Sequence, residues 1–160
     1  MKKICWIDPE TGDLLITIPA YNDLARSKDL SDDEFCEWVQ TLAVPEGVSS
    51  RIIDDSDPAI SSFLSDRTFR DAWTDDGTSL QIDLPKAQVI HMGRIRDMRN
   101  KELTALDVPF MKALEDGDTD VQATIKAKKQ ALRDIPQTFD LTTDTPEQLK
   151  EKWPEGLPKE

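Results

Sequence analysis

The residues of this chain that are able to do chemistry are few and scattered. Its one histidine, His91, stands near the apolar edge of an expected helix, with no cysteine or acidic pair at ligand spacing around it. That setting reads as an ordinary, partly buried histidine and not as a metal ligand or catalytic base. Cys5 and Cys36 are far apart in sequence and sit in apolar surroundings, which suits buried thiols in a reducing compartment better than a disulfide. Asp54-Asp55 and Asp75-Asp76 are adjacent acids that read as solvated turn residues. Neither Asp75-Asp76-Gly77 nor Asp116-Gly117-Asp118 carries the ligand series of a calcium loop. No glycine-rich phosphate cradle and no nucleophile elbow is present. The expectation is therefore no catalytic residue, no metal and no cofactor, and a protein that works by association.

The composition agrees with that class. A chain of 160 residues, 38% hydrophobic and 32% charged, is long enough for one core and a small appendage. No apolar run approaches the roughly 20 residues of a membrane span, so no membrane partner is expected. The opening Met1-Lys2-Lys3-Ile4, followed by Cys5, Trp6 and Asp8-Pro9, does not read as a signal peptide. Net charge is −12, yet residues 86–133 hold 10 Lys+Arg against 7 Asp+Glu, a net of +3. Everything outside that stretch sums to −15. The basic residues are interleaved with acids, which argues against nucleic acid as a partner.

The elements that must position any site fall into an expected α+β arrangement. Residues 1–85 read as a small N-terminal unit, 86–136 as a helical hairpin and 137–160 as a tail with one short helix. In the first unit, residues 3–7 and 14–18 form a β-hairpin across an Asp-Pro-Glu-Thr-Gly-Asp turn. Residues 22–30 are polar and irregular. Ser31 and Glu34 have capping-box spacing and open a helix whose stripe is Phe35, Trp38, Val39 and Leu42. A strand is expected at 51–54, a turn at 55–58, a stretch at 66–73 that puts Phe69 and Trp73 on one side if it is helical, a turn at 74–77, and a strand at 80–84.

From Pro85 the period changes from alternation to helical. Ala87, Met92, Ile95, Met98, Leu103, Ala105 and Leu106 fall within an arc of about 160°. Arg99 and Glu102 interrupt that arc at a spacing that lets them pair. Such a face fits either the rim of a narrow core or a contact with another protein chain, where Arg and Met are favoured. The candidate interface is Met92, Ile95, Met98, Arg99, Glu102 and Leu106. A kink or restart is expected near Pro109 with Asp107 as cap, and a glycine stop at Gly117. The second helix is capped by Asp118 or Thr119, carries Val121, Ile125, Lys128, Leu132 and Ile135 inward, and ends at Pro136. Thr145, Pro146 and Gln148 mark the short last helix.

Three strings carry a family likeness. They are Arg96-x-x-Arg99-Asn100-x-x-Leu103-x-x-Leu106-Asp107, then Ala113-Leu114-Glu115-x-Gly117-Asp118, then Lys129-Gln130-Ala131-Leu132-Arg133-Asp134-Ile135-Pro136. Together they resemble the C-terminal helical region of small tailed-bacteriophage proteins, the tail assembly chaperone and tail-fibre assembly families among them. Asp66-Arg67-Thr68-Phe69-Arg70-Asp71-Ala72-Trp73, with Asp83-Leu84-Pro85-Lys86-Ala87, is similar to a variant encoded in phage and prophage genomes. The likeness covers about residues 66–136. Asp107-Val108 stands where tail chaperones often carry Asp-Trp.

The resemblance implies a non-enzymatic protein that binds a phage tail or tail-fibre structural protein, in assembly or as a minor virion subunit. It also implies stoichiometric association, as a homo-oligomer or bound to a symmetric phage assembly, and a place in the virion or the host cytoplasm during assembly. The alternative is an acidic inhibitor that imitates nucleic acid and binds a basic host or phage protein. Against it, most of the acids are caps and turn residues.

Overall fold

The computed structural model of the chain describes residues 1–22 and 30–159. Most of the irregular stretch expected at 22–30 lies outside the described residues. The fold is α+β, and it divides into two compact units, Met1–Asp83 and Leu84–Glu160.

In the first unit β1 (Lys2–Ile7) is the central strand of a three-stranded antiparallel sheet. β2 (Leu14–Thr17) lies on one side, with Cys5 opposite Ile16, and β3 (Ser50–Asp54) on the other, with Cys5 opposite Arg51. Successive side chains on a strand point to opposite faces. Ile4 and Cys5 are nonetheless both buried, because the sheet is covered twice. α1 (Asp32–Ala43) packs on β1 and β3 and contributes buried Phe35 and Cys36. The hairpin of β4 (Trp73–Asp75) and β5 (Leu80–Ile82) packs on β1 and β2 and brings Asp75 to Cys5.

α1 begins with the capping box that its sequence announces. Ser31 Oγ accepts from Glu34 N–H at 3.3 Å, and the Glu34 carboxylate accepts from Ser31 N–H at 2.9 Å. α2 (Pro58–Ser65) follows the turn read at 55–58. Asp57 caps it through Ala59 N–H at 2.8 Å, and Pro58 opens it. Of the stretch 66–73, helical geometry is confined to a single 3-10 turn, Arg70–Ala72, after which Trp73 enters β4. Phe69, Ala72 and Trp73 all reach the core, and Trp73 does so as the first residue of β4, paired with Ile82 of β5.

The second unit is a bent helical pair with a returning tail. α3 (Leu84–Ala105) and α4 (Asp107–Glu115) are nearly continuous. Leu106 N–H bonds to Glu102 O and Phe110 N–H to Leu106 O, while Pro109 has no N–H to offer, so the rod bends and does not part. Asp107 is therefore the first residue of α4 and not its cap. Gly117, at φ 68°, closes α4 with the Schellman pattern: Asp118 N–H bonds to Ala113 O at 2.9 Å and Gly117 N–H to Leu114 O at 3.3 Å. Asp118 also caps α5 (Thr119–Thr138) through Val121 N–H at 3.0 Å.

α5 runs through Pro136, against the expected stop there. Only one backbone bond is forfeited in the last turn, and Ile135, Pro136 and Phe139 are half-buried against the unit. Its inward row is Gln122, Ile125, Lys129 and Leu132, so Lys129 and not Lys128 lies on the seam. After α6 (Pro146–Glu151), which Thr145 and Pro146 open as expected, the tail lies along the first half of α3. Leu141, Leu149 and Leu157 are buried there.

Candidate protein-binding surface

The face of α3 read as a partner contact is mostly occupied. Ala87, His91, Ile95 and Met98 form its buried seam, and α5 and α6 pack on this helix. Of the six candidate residues, Ile95 is fully buried and Met98 is 9% exposed. Met92, Arg99, Glu102 and Leu106 are half-buried. Among the described residues Arg99 and Glu102 do not pair with each other, and the enclosed Arg99 Nε has no hydrogen-bond partner. The cation also precedes the acid along the helix, which is the less favourable order.

His91 is central to that seam and not at its edge. Its Nε2 is 2.7 Å from Lys152 O, a carbonyl with no proton to give, so Nε2 carries the hydrogen and donates. Its ring meets Trp153 edge-on, with centroids 5.7 Å apart. Gln88 Nε2 donates to Leu141 O at 3.2 Å. The histidine fastens the tail to α3, a role invisible in sequence because its partner lies 61 residues away.

What the helical unit leaves open is its bent end. Val108, Met111 and Leu114 project from α4, and Val121 from the start of α5. The Schellman turn and the Asp118 cap hold these two segments together at fixed spacing. Beside this end α4 and α5 border a basic groove of about 550 Å³, lined by Phe110, Lys126, Ala127, Lys129, Gln130 and Arg133. The ammonium groups of Lys126 and Lys129 stand 5.7 and 5.3 Å from the centre of the Phe110 ring. Lys129 also reaches the Asp107 carboxylate. Spacing alone did not reveal the groove, since it needs one aromatic from α4 and a basic row from α5.

The first unit holds a polar cluster with buried charge, again unexpected from sequence. Asp75, read as a solvated turn residue, is 8% exposed in its side chain and accepts from Arg51 Nε at 2.7 Å. Cys5 Sγ donates to the same oxygen at 3.0 Å. Burial, and then the Asp75 carboxylate, push the Cys5 thiol up to about 12, so it is a hydrogen-bond donor at neutral pH and not a nucleophile. The neighbouring Asp76 does behave as a turn residue, accepting from the Thr78 and Ser79 N–H groups. Cys36 is a buried free thiol as well. A cavity of about 360 Å³ adjoins the cluster, lined by Trp6, Val48 and Gly77 among others. Chemically the cluster ties β1, β3 and β4 together.

No family model, curated protein or solved structure matches the chain. Among the described residues, no helix is long and apolar enough to cross a membrane.

Proposed function

We propose that this chain is a non-enzymatic bacteriophage or prophage protein that binds a virion protein stoichiometrically, in tail or tail-fibre assembly or as a minor virion subunit. The observation that carries the reading is the bent end of the helical unit. Val108, Met111, Leu114 and Val121 are each 43–63% exposed on two helical segments joined by a closed, capped turn. Exposed apolar side chains grouped on one rigid element mark a contact surface, and methionine adapts to the partner's shape. The phage likeness of residues 66–136 supplies the partner class. The contact surface in this reading is α4 and the start of α5, with half-buried Leu106 at its edge.

The first unit favours a second reading. Met1–Asp83 holds 7 Lys+Arg against 18 Asp+Glu, a net of −11, whereas Leu84–Glu160 is close to balance at 13 against 14. A dense negative surface suits an inhibitor of a basic protein. Co-expression with the products of flanking genes separates the two. The first reading expects one-to-one capture of a tail or tail-fibre protein, lost in Met111→Asp with Leu114→Asp while thermal melting is retained. Capture of a basic, nucleic-acid-binding protein that survives those changes decides for the second. Capture of neither overturns both.

A further inference from the structure

We propose that the chain self-associates head to tail, the acidic helix α1 of one copy docking in the basic groove between α4 and α5 of a second copy. The inference does not depend on the phage reading, because it concerns two surfaces of this chain alone.

The two surfaces are complementary in charge. Residues 126–133 carry Lys126, Lys128, Lys129 and Arg133 and no acid. Of these cations only Lys129 has an ion pair among the described residues, with Asp107. Gln130 is turned to Asp134, its Nε2 donating at 2.8 Å, so the groove mouth keeps two uncompensated cations, Lys126 and Arg133. α1 is the inverse: Asp32, Asp33, Glu34 and Glu37 with no base over its whole length. Asp33 pairs with Lys2 and Glu34 closes the capping box, which leaves Glu37 in mid-helix without an ion pair among the described residues.

They are also complementary in their apolar parts. Trp38 and Leu42, one turn apart and beside Glu37, are 38% and 64% exposed. Exposed Ile18 borders the same apolar recess. An exposed tryptophan flanked by acids needs an aromatic surface flanked by cations, and Phe110 beneath Lys126 and Lys129 supplies one. The two patches differ and lie in different units, so repetition of the contact is heterologous and generates a ring or an open chain.

Sedimentation velocity of the purified full chain tests this. Up to about 100 μM, in a regime suited to micromolar contacts, the sedimentation coefficient is expected to rise with concentration. Raising NaCl from about 0.05 to about 0.5 M is expected to weaken the association at least tenfold, because rim charges are screened. Glu37→Lys with Trp38→Ser loses one surface, and Lys126→Glu with Arg133→Glu loses the other. Each variant alone is expected to be monomeric, while their equimolar mixture keeps one intact contact and stops at a dimer. All four positions are outside the core, and circular dichroism checks the fold. If either pair unfolds, Glu37→Gln and Lys126→Gln replace them with the same expected outcome. A wild type that stays monomeric at low salt, variants that still associate alone, or a mixture that gives no dimer overturns the proposal.

Discussion

Replacing Asp75 by Asn removes one charge from the Arg51–Asp75–Cys5 cluster at almost constant volume, and is expected to cost about 3 kcal/mol. The figure follows from where the pair sits. Exposed ion pairs contribute about 0.2–1 kcal/mol, whereas removing one partner of a buried pair costs about 3–5 kcal/mol. Asp75 is 8% exposed and Arg51 24%, with a 2.7 Å bond between them. The pair is thus near the buried limit, and the partial exposure of Arg51, which lets water recover some of the loss, places the cost at the lower end. About 3 kcal/mol corresponds to a folding equilibrium roughly 150-fold less favourable.

The assay is urea unfolding of the full chain followed by tryptophan fluorescence, to which Trp6, Trp38 and Trp73 of the first unit contribute. Replacing both partners, Arg51→Met with Asp75→Leu, leaves no charge uncompensated and is expected to cost less than the single change. The pH dependence has a definite sign. Burial works to raise the Asp75 carboxyl, but the bonds from Arg51, Cys5 and Gly77 outweigh it and hold the group below its ordinary 3.8. A depressed carboxyl stabilises the fold above the unfolded value, and that contribution is lost as pH falls through the folded value. The difference between wild type and Asp75→Asn should then be full at about pH 7 and shrink as pH falls below the ordinary 3.8 toward the lower folded value. A single-variant cost under about 0.5 kcal/mol at neutral pH, or a double variant costing the sum of the singles, refutes the reasoning.

Two further outcomes are expected. His91→Phe keeps a ring against Trp153 but loses the bond to Lys152 O. Amide hydrogen exchange of α6 and the tail after it should then quicken by about 5- to 150-fold, for about 1–3 kcal/mol, with little change in α5. Ser31→Ala removes the hydroxyl that accepts from Glu34 N–H, and should destabilise the first unit by about 1 kcal/mol in urea unfolding.

What the sequence by itself determined is local. The β1–β2 hairpin, the Ser31–Glu34 box, the Gly117 stop, the Asp118 and Thr145 caps and the change of period at Pro85 each depend on residues within about one turn of one another. Such features are legible because the groups that satisfy the backbone are sequence neighbours. The kink at Pro109 belongs with them in existence but not in form, since the bonds around Leu106 kept the rod continuous. Tertiary structure alone decided the rest. Asp75 meets Cys5 across 70 residues and His91 meets Lys152 across 61. Sheet order brought the first pair together, and the return of the tail along α3 brought the second. The same packing closed Ile95 and Met98 against the unit, carried α5 through Pro136 and left Val108, Met111 and Leu114 outside. A helical period shows which residues share a face; which face a second element covers depends on where the chain returns, and burial there outweighs local preference.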